Sequence, residues 1–542
     1  MMHYDTERKL VYWGAGAVCK TCLKCYDEKP LFLIDSNPKE AVSGLEVKKA
    51  DDVLDWNSLF VVITVRITAA TAIAKTMESY GLKRDLDFAF YTDFFGLQKD
   101  IHSSLKEIKE YFLRYPEQKN GTVIFYSYPF FRQKEVKLNF FHQYFKAHDE
   151  ESYIALQDCA APQEYASQDE ICTPTFYIND IIWWDGSDSM YEIFKDSIGA
   201  FNDSLNAHEK SFLCWLEDIE PCFNREKSFQ VTKTLYTYIK KIISLATPKY
   251  ILMNASRSRI ARIFSYLAEQ NEAECRIMEY GMLPGTFQFD PLGLAGESEL
   301  AVKPSILQEK KVENKDLDIQ AVKNYIIKTG IDSGNYYFKV VDADRRQLEK
   351  LVENRKTVFF IGMGEDYSLN TETDFWRKHY LPAISSNEDA LERLRLICMK
   401  NNWNLMFKPH PGSRLRQTDD RFRAMNDVAY ITDMAIDNLI KRSDVVVSLI
   451  SAVDYKVLVY GKPLVSLGKM PFWGQEICYE VHDTVSIQRV VEEAMEYGMT
   501  ESQKSHYDKF LHILLENYLW DDLSHPDFPY GLPVERSFFK KG

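Results

Sequence analysis

Between Phe407 and Phe472 the chain reads F-K-P-H-P-G-S, then S-D-V-V-V-S-L-I-S-A-V-D-Y, then G-K-P-L-V-S-L-G. Lys408 and His410 flank Pro409, and Pro411 follows. Prolines fix the local backbone. A histidine held in such a turn can donate to a phosphate and stabilise a leaving nucleotide as charge develops on it. Lys408 adds positive charge to the same field. Further on, Ser448 and Ser451 end an apolar run, and Ala452 leads into a helical pattern. Ser451 is placed to cap that helix. Backbone amides at a strand-to-helix turn also hold phosphate. These pieces describe chemistry on an anionic, nucleotide-activated substrate. Gly461-Lys462-Pro463 reads as a turn into the next strand, with Lys462 architectural.

Two other glycine-bearing stretches carry carboxylates. Gly362-Met363-Gly364-Glu365-Asp366 follows an apolar run. Its glycines let backbone come near a ligand, and Asp366 can bind an acceptor hydroxyl or steer a proton. Glu279-Tyr280-Gly281-Met282-Leu283-Pro284-Gly285-Thr286 leads to Asp290-Pro291-Leu292-Gly293. Loops at the C-terminal ends of strands are where α/β folds place ligands, so Glu279 and Asp290 are candidate acid/base groups. The bland alternative for this stretch is a structural turn with exposed carboxylates.

Near the N-terminus, Gly14 and Gly16 follow a strand-like run, and Asp35 ends the next one. This suits a nucleotide-binding turn whose carboxylate takes ribose hydroxyls. Cys19 stands where a third glycine would be, and no hydride-transfer partners stand out, so redox chemistry is disfavoured. Cys19, Cys22 and Cys25 match three of the four ligand positions of a ferredoxin run, with Lys29 at the fourth. On a helix, residues three apart drift around the surface instead of converging. Packing against the sheet is therefore preferred to a metal cluster. His525-Pro526 lacks such context and reads as structural.

The elements that must position these residues follow a repeated pattern. Strands are expected at 9–13, 31–34, 59–64, 122–126, 249–254, 276–279, 357–361, 404–407 and 445–447. Helices are expected at about 17–26, 258–270, 388–400 and 502–520. Such alternation predicts parallel sheets covered by helices. With 542 residues, 45% of them hydrophobic, the chain can build three domains, each with its own core. The formal charge of -14 argues against a general nucleic-acid grip. No apolar run is long enough to span a bilayer, and the polar first residues lack a signal-peptide pattern. Of the 10 cysteines, Cys159, Cys172, Cys214, Cys222, Cys275, Cys398 and Cys478 show no disulfide framework, which fits a reducing, cytoplasmic setting.

Three segments, in this order and spacing, resemble the bacterial capsule polysaccharide synthesis proteins that include the Kdo transferases. They are E-Y-G-M-L-P-G-T-F-Q-F-D-P-L-G-L at 279–294, K-P-H-P at 408–411, and S-L-I-S-A-V-D-Y-K-V-L-V-Y-G-K-P-L-V-S-L-G at 448–468. K-M-P-F-W-G-Q-E-I-C-Y-E-V-H-D at 469–483 adds to the match, which covers roughly 250–490. Gly362 stands where that family often has glutamine, and Ala452 where a second hydroxyl residue is common. The first residues, with D-S-N-P at 35–38, resemble glycine-turn domains attached to sugar-modifying enzymes.

The resemblance implies an α/β GT-B-like pair of Rossmann-like domains preceded by a smaller Rossmann-like domain. The boundaries are set at 1–115, 116–335 (acceptor side), 336–500 (donor nucleotide) and 501–542 (a helical tail packing back). It implies a metal-independent glycosyltransferase using a CMP-activated ulosonic acid and a glycan or lipid-linked glycan acceptor. No further cofactor is required. A partner assembly would bring the chain to the inner face of the membrane. Gly362, Gly364, Lys408, Pro411, Ser448, Ser451 and Ala452 would hold the donor. Glu279, Asp290, Asp366 and His410 would carry the chemistry. Gly14, Gly16 and Asp35 would form a separate nucleotide site. Polyol-phosphate transfer from a CDP-linked donor and a non-catalytic nucleotide-sugar-binding subunit remain as alternatives.

Overall fold

The computed structural model describes residues 4–5, 7–36, 41–65, 67–95, 101–126, 153–157, 175–177, 191, 197–198, 201, 203–219, 224–253, 259–309, 317–329, 342–364, 373–410 and 420–521. The chain forms three units, each around a mostly parallel sheet.

In the first unit, β1 (Lys9–Trp13), β2 (Leu33–Ile34), β3 (Val47–Lys48), β4 (Leu59–Ile63) and β5 (Phe88–Phe90) are parallel in the order β3-β2-β1-β4-β5. All five residues of β4 are buried, as expected of a strand covered on both faces. Its two core clusters contain only residues up to Phe95.

The second unit contains β6 (Thr122–Tyr126), β7 (Tyr153–Gln157), β8 (Thr175–Tyr177), β9 (Tyr250–Met253), β10 (Glu274–Tyr280) and β11 (Thr286–Asp290). Its parallel part repeats the first unit's order as β8-β7-β6-β9-β10, and β11 adds antiparallel to β10. The helix Ile101–Arg114 buries Ile101, Ile108 and Phe112 in this unit's core. The boundary set at residue 115 is therefore too late, because that helix's apolar face belongs to the second unit.

The third unit holds β12 (Thr357–Ile361), β13 (Asn404–Lys408), β14 (Ala429–Tyr430), β15 (Val445–Ser448), β16 (Leu464–Ser466) and β17 (Tyr479–Glu480). These are all parallel, in the order β14-β13-β12-β15-β16-β17. Val322 and Ile326, from the helix Ile319–Thr329, sit in this unit's core, so the boundary at 335 is also too late.

The helix Glu501–Asn517 packs Tyr507, Phe510, Leu511 and Leu514 into the third unit's core. The chain then enters β18 (Leu519–Asp521), which pairs antiparallel with β11 in the second unit. Helix was expected through Trp520. Leu519 and Trp520 are instead buried in a strand, with Trp520 set edge-on to Phe289 at 5.2 Å. The molecule is an α/β protein with two Rossmann-like units in contact, preceded by a smaller unit of the same kind.

Candidate active site

In each unit the chain reverses its direction of sheet growth after the third strand, so the first and fourth strands lie side by side. The crevice outside the carboxyl ends of such a pair is where doubly wound sheets bind ligands. In the third unit that pair is β12 and β15. The register sets Lys408, Ile361 and Ser448 in one row at the strand ends: Ile361 pairs with Lys408 on one side and with Ser448 on the other. The glycine loop, the histidine turn and the serine turn therefore leave the same edge, the outer two separated by two strand spacings of about 5 Å each.

The glycine loop and the histidine turn touch. The Gly362 amide donates to the Lys408 carbonyl at 2.9 Å. A Cβ at Gly362 would lie 3.2 Å from Pro409 Cα, tighter than ordinary contact, and one at Gly364 would lie 3.6 Å from His410 Nδ1. Asn387 fixes the loop by accepting from the Met363 amide and donating to the Met363 carbonyl, both at 3.0 Å. The His410 imidazole is exposed at this edge. Asp366 and Pro411 lie outside the described residues.

Lys408 departs from expectation. Its ammonium is buried and donates to the Thr432 carbonyl at 2.7 Å. Thr432 follows β14, on the side of β13 away from the serine turn. The loop around Thr432 is held by buried Asp344, which accepts from the amides of Thr432, Asp433 and Met434 at 3.0, 2.7 and 2.6 Å. Lys408 thus ties the end of β13 to the loop after β14.

In the serine turn, Ser451 Oγ accepts from the Val453 amide at 3.2 Å, and the Ser451 carbonyl accepts from the Asp454 amide at 3.1 Å. Ala452 is exposed. Ser448 was expected to meet the donor directly, but its hydroxyl is fully enclosed. It lies against the buried Asp454 carboxyl, in a strand all four of whose residues are buried. Lys462 donates to the Ser443 carbonyl at 2.6 Å and is architectural.

The 279–293 stretch is a hairpin. Tyr280 pairs with Phe287 across β10 and β11, Gly285 turns the corner at φ +74°, and the Gly281 amide donates to the Thr286 carbonyl at 2.7 Å. Glu279 is half-buried and accepts from the Tyr280 amide at 2.8 Å. Asp290 is buried. Its carboxylate accepts from the amides of Leu292, Gly293 and Glu299 at 2.8, 2.9 and 3.0 Å. Burial nevertheless raises its pKa to about 6, against those amides, which lower it. Its lone pairs organise the loop leaving β11, which leaves little capacity for an acceptor hydroxyl.

That loop meets the third unit in a network that sequence reasoning missed. Arg262, on the helix Arg259–Gln270, donates to both oxygens of Glu297 at 3.0 Å each, and Tyr380 Oη also donates to Glu297. The Lys469 amide donates to the Tyr380 carbonyl at 2.8 Å. Gly296 lies against the His379 carbonyl with no room for a side chain. Burial lowers the pKa of the neighbouring His379. Lys469 follows Gly468, which lies just beyond β16 and packs against the Leu449 carbonyl of the serine turn. The junction between the two units thus adjoins the strand ends that carry the candidate site. These residues are far apart in sequence and follow no short-range pattern, so no local signal marks them.

At the first unit's switch point, Gly14 has φ +114°, and a Cβ there would lie 2.9 Å from the Thr64 carbonyl oxygen. Asp35 accepts from the Ala15 amide at 2.9 Å, whereas Gly16 opens onto free space. Cys19 and Cys22 are fully buried among Leu10, Tyr12, Leu33 and Phe60. No group of His, Cys, Asp and Glu among the described residues is arranged to hold a metal ion.

No family model matches the chain, and no curated protein matches it. Among solved structures, it is similar to Thermosulfurimonas dismutans KpsC, described as a beta Kdo 2,7 transferase, with 16% identity and a TM-score of 0.31 over 51% of this chain and 89% of that one. A second KpsC structure from that organism, a beta Kdo 2,4 transferase, shows 15% identity and a TM-score of 0.34 over 49% and 80%. The UDP-GlcNAc 2-epimerase of Neisseria meningitidis, bound to UDP-GlcNAc, shows 11% identity and a TM-score of 0.30 over 73% and 100%. At such low scores, the chemistry has to come from the site's own residues.

Proposed function

We propose that this chain is a glycosyltransferase of bacterial surface polysaccharide synthesis. It transfers an ulosonic acid such as Kdo or sialic acid from a CMP-activated donor to a glycan or lipid-linked glycan. The observation that carries this reading is the strand-end row Lys408–Ile361–Ser448, with Gly364 against His410, at the switch point of the third sheet. Three loops with phosphate-compatible chemistry leave the sheet at this one edge, and the junction with the second unit stands beside them.

In this reading the donor phosphate lies between the 362–364 loop, His410 and the 448–452 turn. The bond from the sugar's anomeric carbon to the phosphate oxygen breaks, and His410 donates to that phosphate as its charge grows. The acceptor hydroxyl attacks the anomeric carbon and passes its proton to a carboxylate. Asp290 is occupied by three amides, so Glu279 and Asp366 are the better candidates for this role. Approach of the second unit excludes water that would otherwise hydrolyse the donor. No helix among the described residues is long and apolar enough to cross a membrane, and the reading assigns membrane proximity to a partner assembly.

The test is calorimetric titration of the full chain with CMP and with CDP-glycerol, followed by transfer assays with the matching donors. CMP binding with transfer is expected, and His410→Ala should lower kcat by roughly a hundredfold or more with the melting temperature unchanged. Binding of CDP-glycerol but not CMP would move the assignment to polyol-phosphate transfer. Absence of both binding and turnover would leave a non-catalytic role.

A further inference from the structure

Directly beneath the serine turn lies a carboxyl group that the proposed chemistry does not use. Asp454 is fully enclosed, and neither of its oxygens reaches a partner at full hydrogen-bond geometry. The same holds for the Ser448 hydroxyl, which is buried at the end of β15. Buried polar atoms without partners are uncommon in folded proteins, and each calls for a cause. Two of them side by side, under a turn placed to receive phosphate, share one.

Ser448 and the Ser451 amide face the carboxyl and favour its charged form, while complete burial opposes that form more strongly and raises its pKa to about 8. Among the described residues, the surrounding groups supply no compensating positive charge. Lys456, two residues on, is buried and paired with Asp437 at 2.6 Å. Lys323, on the helix packed alongside, is paired with Asp508 at 2.5 Å. Tyr455 on the same helix and Cys478 before β17 both couple to Asp454, and burial holds each neutral well above its ordinary range. Tyr507 donates to the Tyr455 carbonyl at 2.8 Å. Lys469, beyond β16, donates to the Lys378 carbonyl at 2.6 Å. A neutral carboxyl can donate to Ser448 and accept from the Ser451 amide together, whereas the ionised form can only accept.

We propose that Asp454 is a positioning residue whose neutral carboxyl holds the 448–452 turn in its donor-receptive form, so that affinity for an anionic donor falls when this carboxyl ionises. An ionised Asp454 would draw the Ser451 amide and the Ser448 hydroxyl downward and place an unpaired negative charge under the phosphate. The inference rests on the donor site proposed above and deepens it.

The experiment is a calorimetric titration of the full chain with CMP from about pH 7 to about pH 9.5, on wild type and Asp454→Asn. In wild type the Kd is expected to rise at least about tenfold over that interval. Asn is isosteric and cannot ionise, so Asp454→Asn should bind CMP within about twofold of wild type at pH 7 and show a flat profile. A wild-type profile without this rise overturns the role of Asp454 and leaves the donor site standing. The same rise in Asp454→Asn also overturns it, assigning the pH dependence to another group such as Lys469. Failure of CMP to bind wild type at pH 7 overturns the donor site, and this inference with it.

Discussion

At the scale of single residues, burial separates side chains open to a ligand from side chains that hold the strand ends and loops in place. His410 keeps an exposed imidazole at the strand ends, while Lys408, Ser448 and Asp290, all picked out by type and spacing, are enclosed. Asp290 gives this distinction a measurable consequence. Its folded pKa of about 6 lies above the ordinary carboxyl value of 3.8. A raised pKa means that the contribution to stability is fully present below about pH 4 and is lost as pH rises through 6. A tenfold change in a protonation equilibrium is worth about 1.4 kcal/mol, so the loss is on the order of 3 kcal/mol. Chemical denaturation of wild type and Asp290→Asn should therefore show wild type losing stability relative to the variant between about pH 4 and pH 7. A constant difference across that range would mean that the three backbone amides fully offset the burial.

At the scale of elements, the sheets were legible and the connections were not. Buried strands such as Val358-Phe359-Phe360 and Val445-Val446-Val447 are short apolar runs bounded by polar residues, and their positions match the sequence reading closely. Of the candidate site, only the placement of its residues along the chain's strands was legible. Lys408, His410, Gly362 and Ser448 stand at strand ends, where α/β folds expose backbone to ligand. What the pattern could not supply was direction. Whether Lys408 reaches a ligand or the Thr432 carbonyl depends on β14, a two-residue strand with no periodicity of its own. The Arg262–Glu297–Tyr380 network depends on contacts between units and leaves no trace in local spacing. The terminal segment is a further case. Residues 501–517 keep helical periodicity, but Leu519 and Trp520 are claimed by the edge of β11. Trp520 is 4% exposed, so Trp520→Ala should cost about 3–5 kcal/mol, measured as a shift in the denaturation midpoint. A change below about 1 kcal/mol would mean that β18 is dispensable to the second sheet.

At the scale of the whole molecule, three units with one shared strand order are joined unequally. The first closes its own core within residues up to Phe95 and, among the described residues, shares no strand with its neighbours. The second and third share packing: Met282, Leu283 and Leu300 lie in the third unit's core, and Arg262 and Tyr380 meet on Glu297. A chain starting at residue 101 should therefore fold and keep CMP affinity within about twofold, as read by calorimetry. A loss of more than about tenfold would place the nucleotide site at the Gly14 turn instead. The helix Ile101–Arg114 has to stay in such a chain, because its apolar face completes the second core.

The return of β18 to β11 also bears on how the protein is made. During synthesis the second sheet emerges with β11 as an unprotected edge, open to pairing with another chain. The strand that covers this edge leaves the ribosome only after the whole third unit. The second sheet is therefore completed only after the third unit has been made, and until then the nascent chain carries β11 as an open edge.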